Sequence, residues 1–178
     1  RKLSGLNAMY KIGTLVLYDK RGVYKIESVG PPPVQGTSGN YYKLRAVFSN
    51  SNEIIYTPVD MVTSMRPLIS NSEAANYLEL FARLKPHAFH SGKTMDSAAH
   101  YCDMLASQKV EDCLLLIKEI LVKQREAMRQ KKRLGQVDTQ YLKLAEKLIC
   151  EEFAVVLDAT PDVIRERLYA DIQRRATA

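Results

Sequence analysis

The chain has 178 residues, of which 46% are hydrophobic and 26% are charged, and its formal net charge is +6. This length suits one domain with a substantial core or two small ones, and the hydrophobic fraction argues against a wholly disordered chain. The positive charge is compatible with a polyanionic partner but does not prove one, because many basic proteins bind no nucleic acid. No apolar run approaches the roughly 20 residues needed to cross a bilayer, so we expect a cytoplasmic protein with no membrane contact.

Residues 1–8 look unlike the rest of the chain, and we interpret them as an added or disordered segment before a native start at Met9. From Met9 to about Pro67 the pattern is typical of β-structure, because apolar and polar residues alternate with a period of two. The predicted strands are residues 14–18, 23–29, 41–49 and 52–57. Pro58 offers no amide hydrogen and should end the last ladder. Four or five short strands in about 60 residues are typical of a small, strongly bent sheet or an SH3-like barrel.

From Ser70 onward the period of the pattern changes to that of a helix. Ser70 and Glu73 have the spacing of a capping box, and Pro86 should end the helix that they begin. A second helix is predicted over residues 95–106. A third follows an apolar stripe from about residue 107 to residue 132.

Two further helices complete the predicted C-terminal half. Gly135 stands just past the third helix as a stop signal, and Asp138 is placed to cap the fourth. Thr160-Pro161 has the composition of a helix start and opens a fifth helix. We therefore predict an α+β protein, with a small barrel over residues 9–69 and an all-α domain of about five helices over residues 70–178.

The residues that can carry chemistry form no recognisable catalytic or metal-binding frame. Cys102, Cys113 and Cys150 are scattered among apolar residues at helical spacing, which predicts buried, reduced thiols. His87 and His90 lie in a loop-like segment without a third ligand, so we expect no metal. The chain shows no Gly-x-Ser-x-Gly elbow, nucleotide-binding glycine loop or paired catalytic carboxylates, so we expect no enzyme, no cofactor and no small-molecule substrate.

The β half carries a set of motifs whose order and spacing are more specific than any one of them. They are Tyr10-Lys11-Ile12-Gly13, Val16, Tyr18, Gly22-Val23, Ile26, Tyr41-Tyr42-Lys43-Leu44, Ile55-Tyr56-Thr57-Pro58-Val59-Asp60 and Arg66-Pro67-Leu68-Ile69-Ser70. This set resembles the CarD/CdnL family of bacterial transcription regulators and the RNA-polymerase-interacting module of transcription-repair coupling factors. The resemblance continues into the helices at Leu105-Ala106-Ser107, Leu142, Ala145-Glu146-Lys147-Leu148 and Glu151-Glu152-Phe153-Ala154. Because the chain has no GxxxxGK[ST] phosphate loop, it is more similar to the regulators than to the coupling factors.

The resemblance implies a Tudor-like N-terminal domain that pairs the edge of a strand with the β subunit of RNA polymerase. It also implies a helical domain that touches upstream promoter DNA, so that the protein shifts the stability of the promoter complex. The direction of that shift, activation or repression, is not encoded in any motif. An alternative stays open, in which the chain is an interaction adaptor whose helical domain binds another partner and no DNA.

For polymerase binding we favour strand pairing, in which a free edge supplies backbone hydrogen bonds and alternate side chains supply specificity. The segment just before Pro58 is the best candidate by position. Its residues are Glu53, Ile54, Ile55, Tyr56 and Thr57. Ile54 and Tyr56 share one face and Ile55 the other, so the face that meets a partner depends on which face builds the core. The alternative is that these residues are all core.

For DNA we expect phosphate contacts, which position a protein without reading sequence. The candidate residues are Lys93, Met95, Lys123, Arg125, Arg129, Lys131, Lys132 and Arg133. The alternative for the cations at 131–133 is a solvated helix end, where positive charge complements the helix dipole. Members of the CarD/CdnL family commonly use a tryptophan as a wedge at the edge of the melted DNA. The corresponding position in this chain is near residue 94 or 95, but the chain has no tryptophan. Met95 either replaces it as a weaker apolar wedge or packs locally at a helix start.

Overall fold

The fold comes from a computed structural model that describes residues 10–176. The chain divides into two compact units, one ending at Leu68 and the other beginning at Ile69. The segment 1–8, which we interpreted as added or disordered, lies outside the described residues. Strands fill the first unit and helices fill the second, so the α+β class is confirmed.

The first unit is an antiparallel sheet of five short strands. They are β1 (Leu15–Tyr18), β2 (Gly22–Gly30), β3 (Tyr41–Ala46), β4 (Ile54–Pro58) and β5 (Met65–Pro67). Their spatial order is β4-β3-β2-β1-β5, and a short 3-10 helix, Val62–Ser64, leads into β5. The sequence predicted the first four strands. It did not predict β5, because three residues are too few to show a period of two.

One face of this sheet builds the core, as the alternation predicts. The buried side chains come from four of the five strands and include Val16, Tyr24, Ile26, Tyr42, Leu44 and Met65. The hydroxyl of Tyr42 reaches beyond the strands and accepts a hydrogen bond from the backbone N–H of Tyr10 at 2.9 Å. This hydrogen bond therefore links Tyr10, in the segment before β1, to the sheet.

The closed barrel predicted from the strand pattern is not confirmed. In the described residues β4 pairs only with β3, and β5 pairs only with β1, so the sheet is open and has two edges. A β-bulge between Ile26 and Ser28 shifts the register of β2 against β3. Such bulges bend a strand and increase its twist, which curves the sheet without closing it.

The second unit consists of five helices in the described residues. They are α1 (Asn71–Arg83), α2 (Thr94–Ala106), α3 (Val110–Arg129), α4 (Gln136–Val156) and α5 (Pro161–Ala176). The predicted capping box is confirmed, because the Ser70 hydroxyl accepts from the Glu73 amide while the Glu73 carboxylate accepts from the Ser70 amide. Thr160 caps α5 with its hydroxyl alone, which accepts from the Val163 amide at 3.3 Å.

The junction between α3 and α4 differs from its prediction. Helix α3 ends at Arg129, earlier than the predicted residue 132, because Lys131 adopts a left-handed backbone with φ of 55°. The amides of Lys131 and Lys132 then donate to Met128 and Ala127 at 3.0 and 2.8 Å. This pair of bonds is a Schellman motif, which usually has glycine at the left-handed position.

The predicted roles of Gly135 and Asp138 are wrong. Gly135 is the N-cap of α4 and not the stop of α3, and Asp138 lies inside the first turn of α4. Its carboxylate does not cap the helix because buried partners hold it: the Tyr101 hydroxyl at 2.7 Å and the Lys123 ammonium at 2.9 Å. A sequence pattern cannot distinguish a capping carboxylate from one that enters a buried cluster a few residues later.

The three cysteines lie in the helical unit, and no disulfide joins them in the described part of the chain. Cys113 and Cys150 are buried as predicted, whereas Cys102 is only partly buried. Burial raises the pKa of the Cys150 thiol to about 12. In the part of the chain that the structure describes, no helix is both long and apolar enough to span a membrane.

Candidate functional site

The register of β4 shows which of its side chains face the core. Ile55 lies opposite Leu44 and Thr57 opposite Tyr42, and both Leu44 and Tyr42 belong to the core. Ile54 and Tyr56 point the other way and keep 38% and 40% of their surface exposed. The sequence left open which face of this strand builds the core, and the register leaves Ile54 and Tyr56 on the exposed face.

The backbone of β4 has a free edge at the same two residues. Antiparallel neighbours alternate between pairs that exchange hydrogen bonds and pairs that do not. The Ala46 amide donates to the Glu53 carbonyl at 3.0 Å, and at the far end the Val59 amide donates to the Asn40 carbonyl at 3.1 Å. By alternation, Ile54 and Tyr56 direct their N–H and carbonyl groups away from β3.

The free edge ends at Pro58. Proline has no amide hydrogen, and the Pro58 carbonyl already accepts a hydrogen bond from the Met61 amide at 3.0 Å. The backbone donors and acceptors that point away from the sheet along this edge therefore lie at Ile54 and Tyr56. The edge is only five residues long, which limits the uncontrolled pairing that long flat edges promote.

Glu53 fixes the start of β4. Its carboxylate accepts from the Arg21 guanidinium and from the Tyr24 hydroxyl, each at 3.0 Å. Burial, and then the hydrogen bond to Glu53, raise the pKa of Tyr24 to about 12. The Glu53 side chain thus binds the start of β4 to its own sheet.

Two cations stand beside the exposed side chains of β4. On β3, Lys43 lies opposite Tyr56 and Arg45 lies opposite Ile54. Both cations contact Glu27 of β2, with Lys43 at 3.3 Å and Arg45 in a closer hydrogen bond. The hydrogen bond from Arg45, followed by that from Lys43, lowers the pKa of the Glu27 carboxyl. Beside the two exposed side chains of β4 there is thus a charged strip in which two cations share the single carboxylate of Glu27, whereas Tyr56 itself carries no charge.

The predicted DNA residues of the helical unit fall mainly around the end of α3. Arg125 and Arg129 are exposed and one turn apart. Lys131, Lys132 and Arg133 are exposed in the connection to α4, and we call these three residues the basic loop. In the part of the chain that the structure describes, no salt bridge neutralises a cation of the basic loop, so its charge faces solvent.

Lys123 does not belong with these cations. Its side chain is only 19% exposed, and its ammonium donates to the Asp138 carboxylate at 2.9 Å. Because this pairing is internal, Lys123 does not share the exposed surface of the other cations, and its contact with DNA stays a prediction. Its position on α3 gave no hint of this, since the partner carboxylate lies on another helix.

Lys93 and Met95 lie at the start of α2. Lys93 is the N-cap residue and is exposed, and Met95 is 82% exposed. Such exposure does not support the alternative in which Met95 packs locally. A bare apolar side chain at a helix start has the chemistry of a wedge, but the structure brings no aromatic ring to this position.

Sequence reasoning missed a polar cluster between α2, α3 and α4. Tyr101 is fully buried and bonds to Asp138, which also holds Lys123. Nearby, His100 bonds to Glu119 at 2.8 Å and stacks on Phe89 with ring centroids 4.1 Å apart. Polar residues within an apolar stripe were the only available signal, and they do not reveal which helices meet.

The N-terminal unit is thus an open sheet with a short, half-apolar free edge at β4. Residues 10–69 match the family model of the CarD-like/TRCF RID domain. The N-terminal unit therefore belongs to this family of RNA-polymerase-interacting domains, as the resemblance predicted, and the protein is transcription-related. The match ends at residue 69, so the similarity noted in the helices stays a prediction. A comparison with curated proteins gave no match.

Proposed function

We propose that the protein docks onto the β subunit of RNA polymerase by adding a strand of that subunit to the free edge of β4. The observation that carries this proposal is the coincidence of free backbone groups and exposed apolar side chains at Ile54 and Tyr56. Backbone pairing supplies affinity, and the two side chains supply specificity. Lys43 and Arg45 add a preference for an acidic residue on the partner strand.

The side chains of this edge can be tested in the full-length chain. Ile54→Arg places a charge where an apolar contact is expected and should weaken binding to the isolated β subunit at least about tenfold, as for a hot-spot residue. Lys25→Ala is the matched control, because Lys25 is exposed on β2, an inner strand of the same sheet. Equal binding by both variants and the wild type would contradict the proposal.

We further propose that the helical unit contacts promoter DNA through the basic loop, together with Arg125 and Arg129. The supporting observation is that these cations are exposed and that no salt bridge neutralises them within the described residues. Such contacts release counterions. Each contact should therefore steepen the slope of log affinity against log salt concentration by about 0.9. In this scheme the protein is a non-enzymatic regulator that acts in the bacterial cytoplasm and changes the stability of the promoter complex.

The DNA proposal is separated from the adaptor alternative by salt dependence. Changing the three cations of the basic loop to glutamine should reduce the slope of log affinity against log salt by about 2.7. Lys143→Gln, an exposed cation on α4, is the control and should leave the slope nearly unchanged. Equal duplex binding by the wild type and the glutamine variant would contradict DNA contact through the basic loop. No duplex binding by the wild type would favour the adaptor alternative.

A further inference from the structure

The free edge of β4 is complementary to an identical edge. Along β4, Ile54 and Tyr56 direct their N–H and carbonyl groups away from β3. The pattern stops at Pro58, which has no amide hydrogen and whose carbonyl already accepts from the Met61 amide. Two residues, separated by one, therefore hold the outward-pointing backbone groups of this strand that can still pair.

Two such edges fit together in an antiparallel register about a two-fold axis. In that register Ile54 of each copy lies opposite Tyr56 of the other, and Ile55 lies at the axis. Opposite residues of this kind exchange both of their N–H···O bonds. Each of the two Ile54–Tyr56 pairs would therefore form two hydrogen bonds, and the outward groups of both strands would all be satisfied.

The neighbouring registers leave some of these groups without a partner. If Ile54 lay opposite its own equivalent, Tyr56 would lie opposite Asn52, whose left-handed backbone (φ 50°) is not extended. If Tyr56 lay opposite its own equivalent, Ile54 would lie opposite Pro58, which cannot donate. One register is therefore preferred. A two-fold interface is closed, so pairing would stop at a dimer.

The side chains of the edge suit the same register. On the exposed face, each Ile54 would meet the Tyr56 ring of the other copy, and contacts between aromatic and β-branched residues stabilise cross-strand pairs. The strand itself, Ile54–Pro58, contains no charged residue that would repel its equivalent.

The cations of β3 are too far from the axis to oppose the pairing. Lys43 lies opposite Tyr56 and Arg45 lies opposite Ile54 within one copy. Lys43 of one copy and Arg45 of the other would be three strand spacings apart, about 14 Å. That distance exceeds the Debye length of about 8 Å at physiological salt, so their repulsion is largely screened.

We propose that two copies of the chain pair through their β4 edges, so that self-association and docking onto the β subunit exclude each other. The exclusion rests on the docking function proposed above, whereas the self-pairing does not. One short strand from each copy makes a much smaller interface than stable complexes have. We therefore expect a weak dimer, with a dissociation constant of roughly tens to hundreds of micromolar.

The first test is sedimentation equilibrium of the full-length chain from about 10 μM to about 1 mM, a range that brackets the expected constant. The wild type should change from monomer to dimer across this range. Because the axis doubles each substitution, Tyr56→Pro removes two of the four hydrogen bonds and should weaken dimerisation roughly thirtyfold. Lys25→Ala is the control, because Lys25 lies on an inner strand, and it should dimerise as the wild type does.

The register is tested by trapping the dimer with a disulfide. All samples carry Cys102→Ser, because the other two cysteines are buried. Opposite residues that exchange hydrogen bonds have Cα atoms about 5.5 Å apart, a distance that a disulfide can span. An equal mixture of Ile54→Cys and Tyr56→Cys chains should therefore form a covalent dimer when oxidised with diamide. Ile54→Cys alone should not, because its two equivalent Cα atoms would be about 9 Å apart.

Trapping in the presence of the β subunit separates the two parts of the proposal. Suppression of the covalent dimer by the subunit would support a shared edge. A subunit that binds without suppressing it, or that does not bind at all, would overturn the exclusion, while the trapping result without the subunit still decides the self-pairing. The self-pairing is overturned if the wild type stays monomeric at about 1 mM, or if Ile54→Cys alone is trapped as readily as the mixture.

Discussion

The buried cluster around Asp138 gives the sharpest test of how the helical unit is held together. In Asp138→Ala the Tyr101 hydroxyl, which is fully buried, loses its acceptor. An unsatisfied buried group of this kind costs about 1–3 kcal/mol. The Lys123 ammonium loses its partner as well, but with 19% of its side chain exposed it can turn toward water, so we add only about 1 kcal/mol. The expected loss is about 2–4 kcal/mol of unfolding free energy.

The assay is urea unfolding of the full-length chain, followed by circular dichroism at a wavelength where helices dominate the signal. Tyr101→Phe is the control: it keeps the ring in place and leaves Asp138 paired with Lys123, so it should cost about 1 kcal/mol. The midpoint of the helical transition should shift without a change in slope. If Asp138→Ala destabilised the protein no more than Tyr101→Phe, the cluster would not be the stabilising feature inferred from its geometry.

Two further predictions concern single backbone and side-chain features. Lys131→Gly should raise the unfolding free energy by about 0.5–1 kcal/mol in thermal unfolding, because glycine relieves the left-handed strain at φ 55°; a loss of stability would contradict the Schellman assignment. The raised pKa of Tyr24 means that the unfolded chain ionises first as pH increases from about 10 to about 12. Stability should therefore fall across that range and fall less steeply in Tyr24→Phe, and identical pH profiles would refute the assignment.

The sequence predicted those features that depend on local patterns. Alternation predicted β2 and β3, and the spacing of Ser70 and Glu73 predicted the start of α1. The family of the N-terminal unit was also predicted, since it depends on the order of short motifs along the chain. In each of these cases the determining residues are close together in sequence or lie in a fixed order.

Features that depend on distant partners were not predictable. Asp138 has the composition of a cap, yet its partners Tyr101 and Lys123 lie on two other helices. For the same reason the sequence did not reveal that Lys123 pairs with a carboxylate of another helix. The face of β4 that is exposed could be resolved only from its register against β3, which places Ile55 in the core and Ile54 outside it.

Strand pairing also makes a prediction that ordinary side-chain contact does not. The Tyr56 amide points away from β3, so Tyr56→Pro removes a donor from the free edge without breaking a bond inside the sheet. Proline is tolerated on an edge strand when its missing N–H faces outward. Tyr56→Ala removes the side chain but keeps the amide, and the two variants together separate backbone pairing from side-chain contact.

The central measurement is the affinity of full-length Tyr56→Pro for the β subunit of RNA polymerase, compared with Tyr56→Ala and the wild type. Circular dichroism and thermal unfolding first establish that both variants are folded. Docking through the edge of β4 predicts that the proline variant binds at least about tenfold more weakly than the alanine variant. Equal binding by the folded proline and alanine variants would show that the partner does not add a strand to this edge.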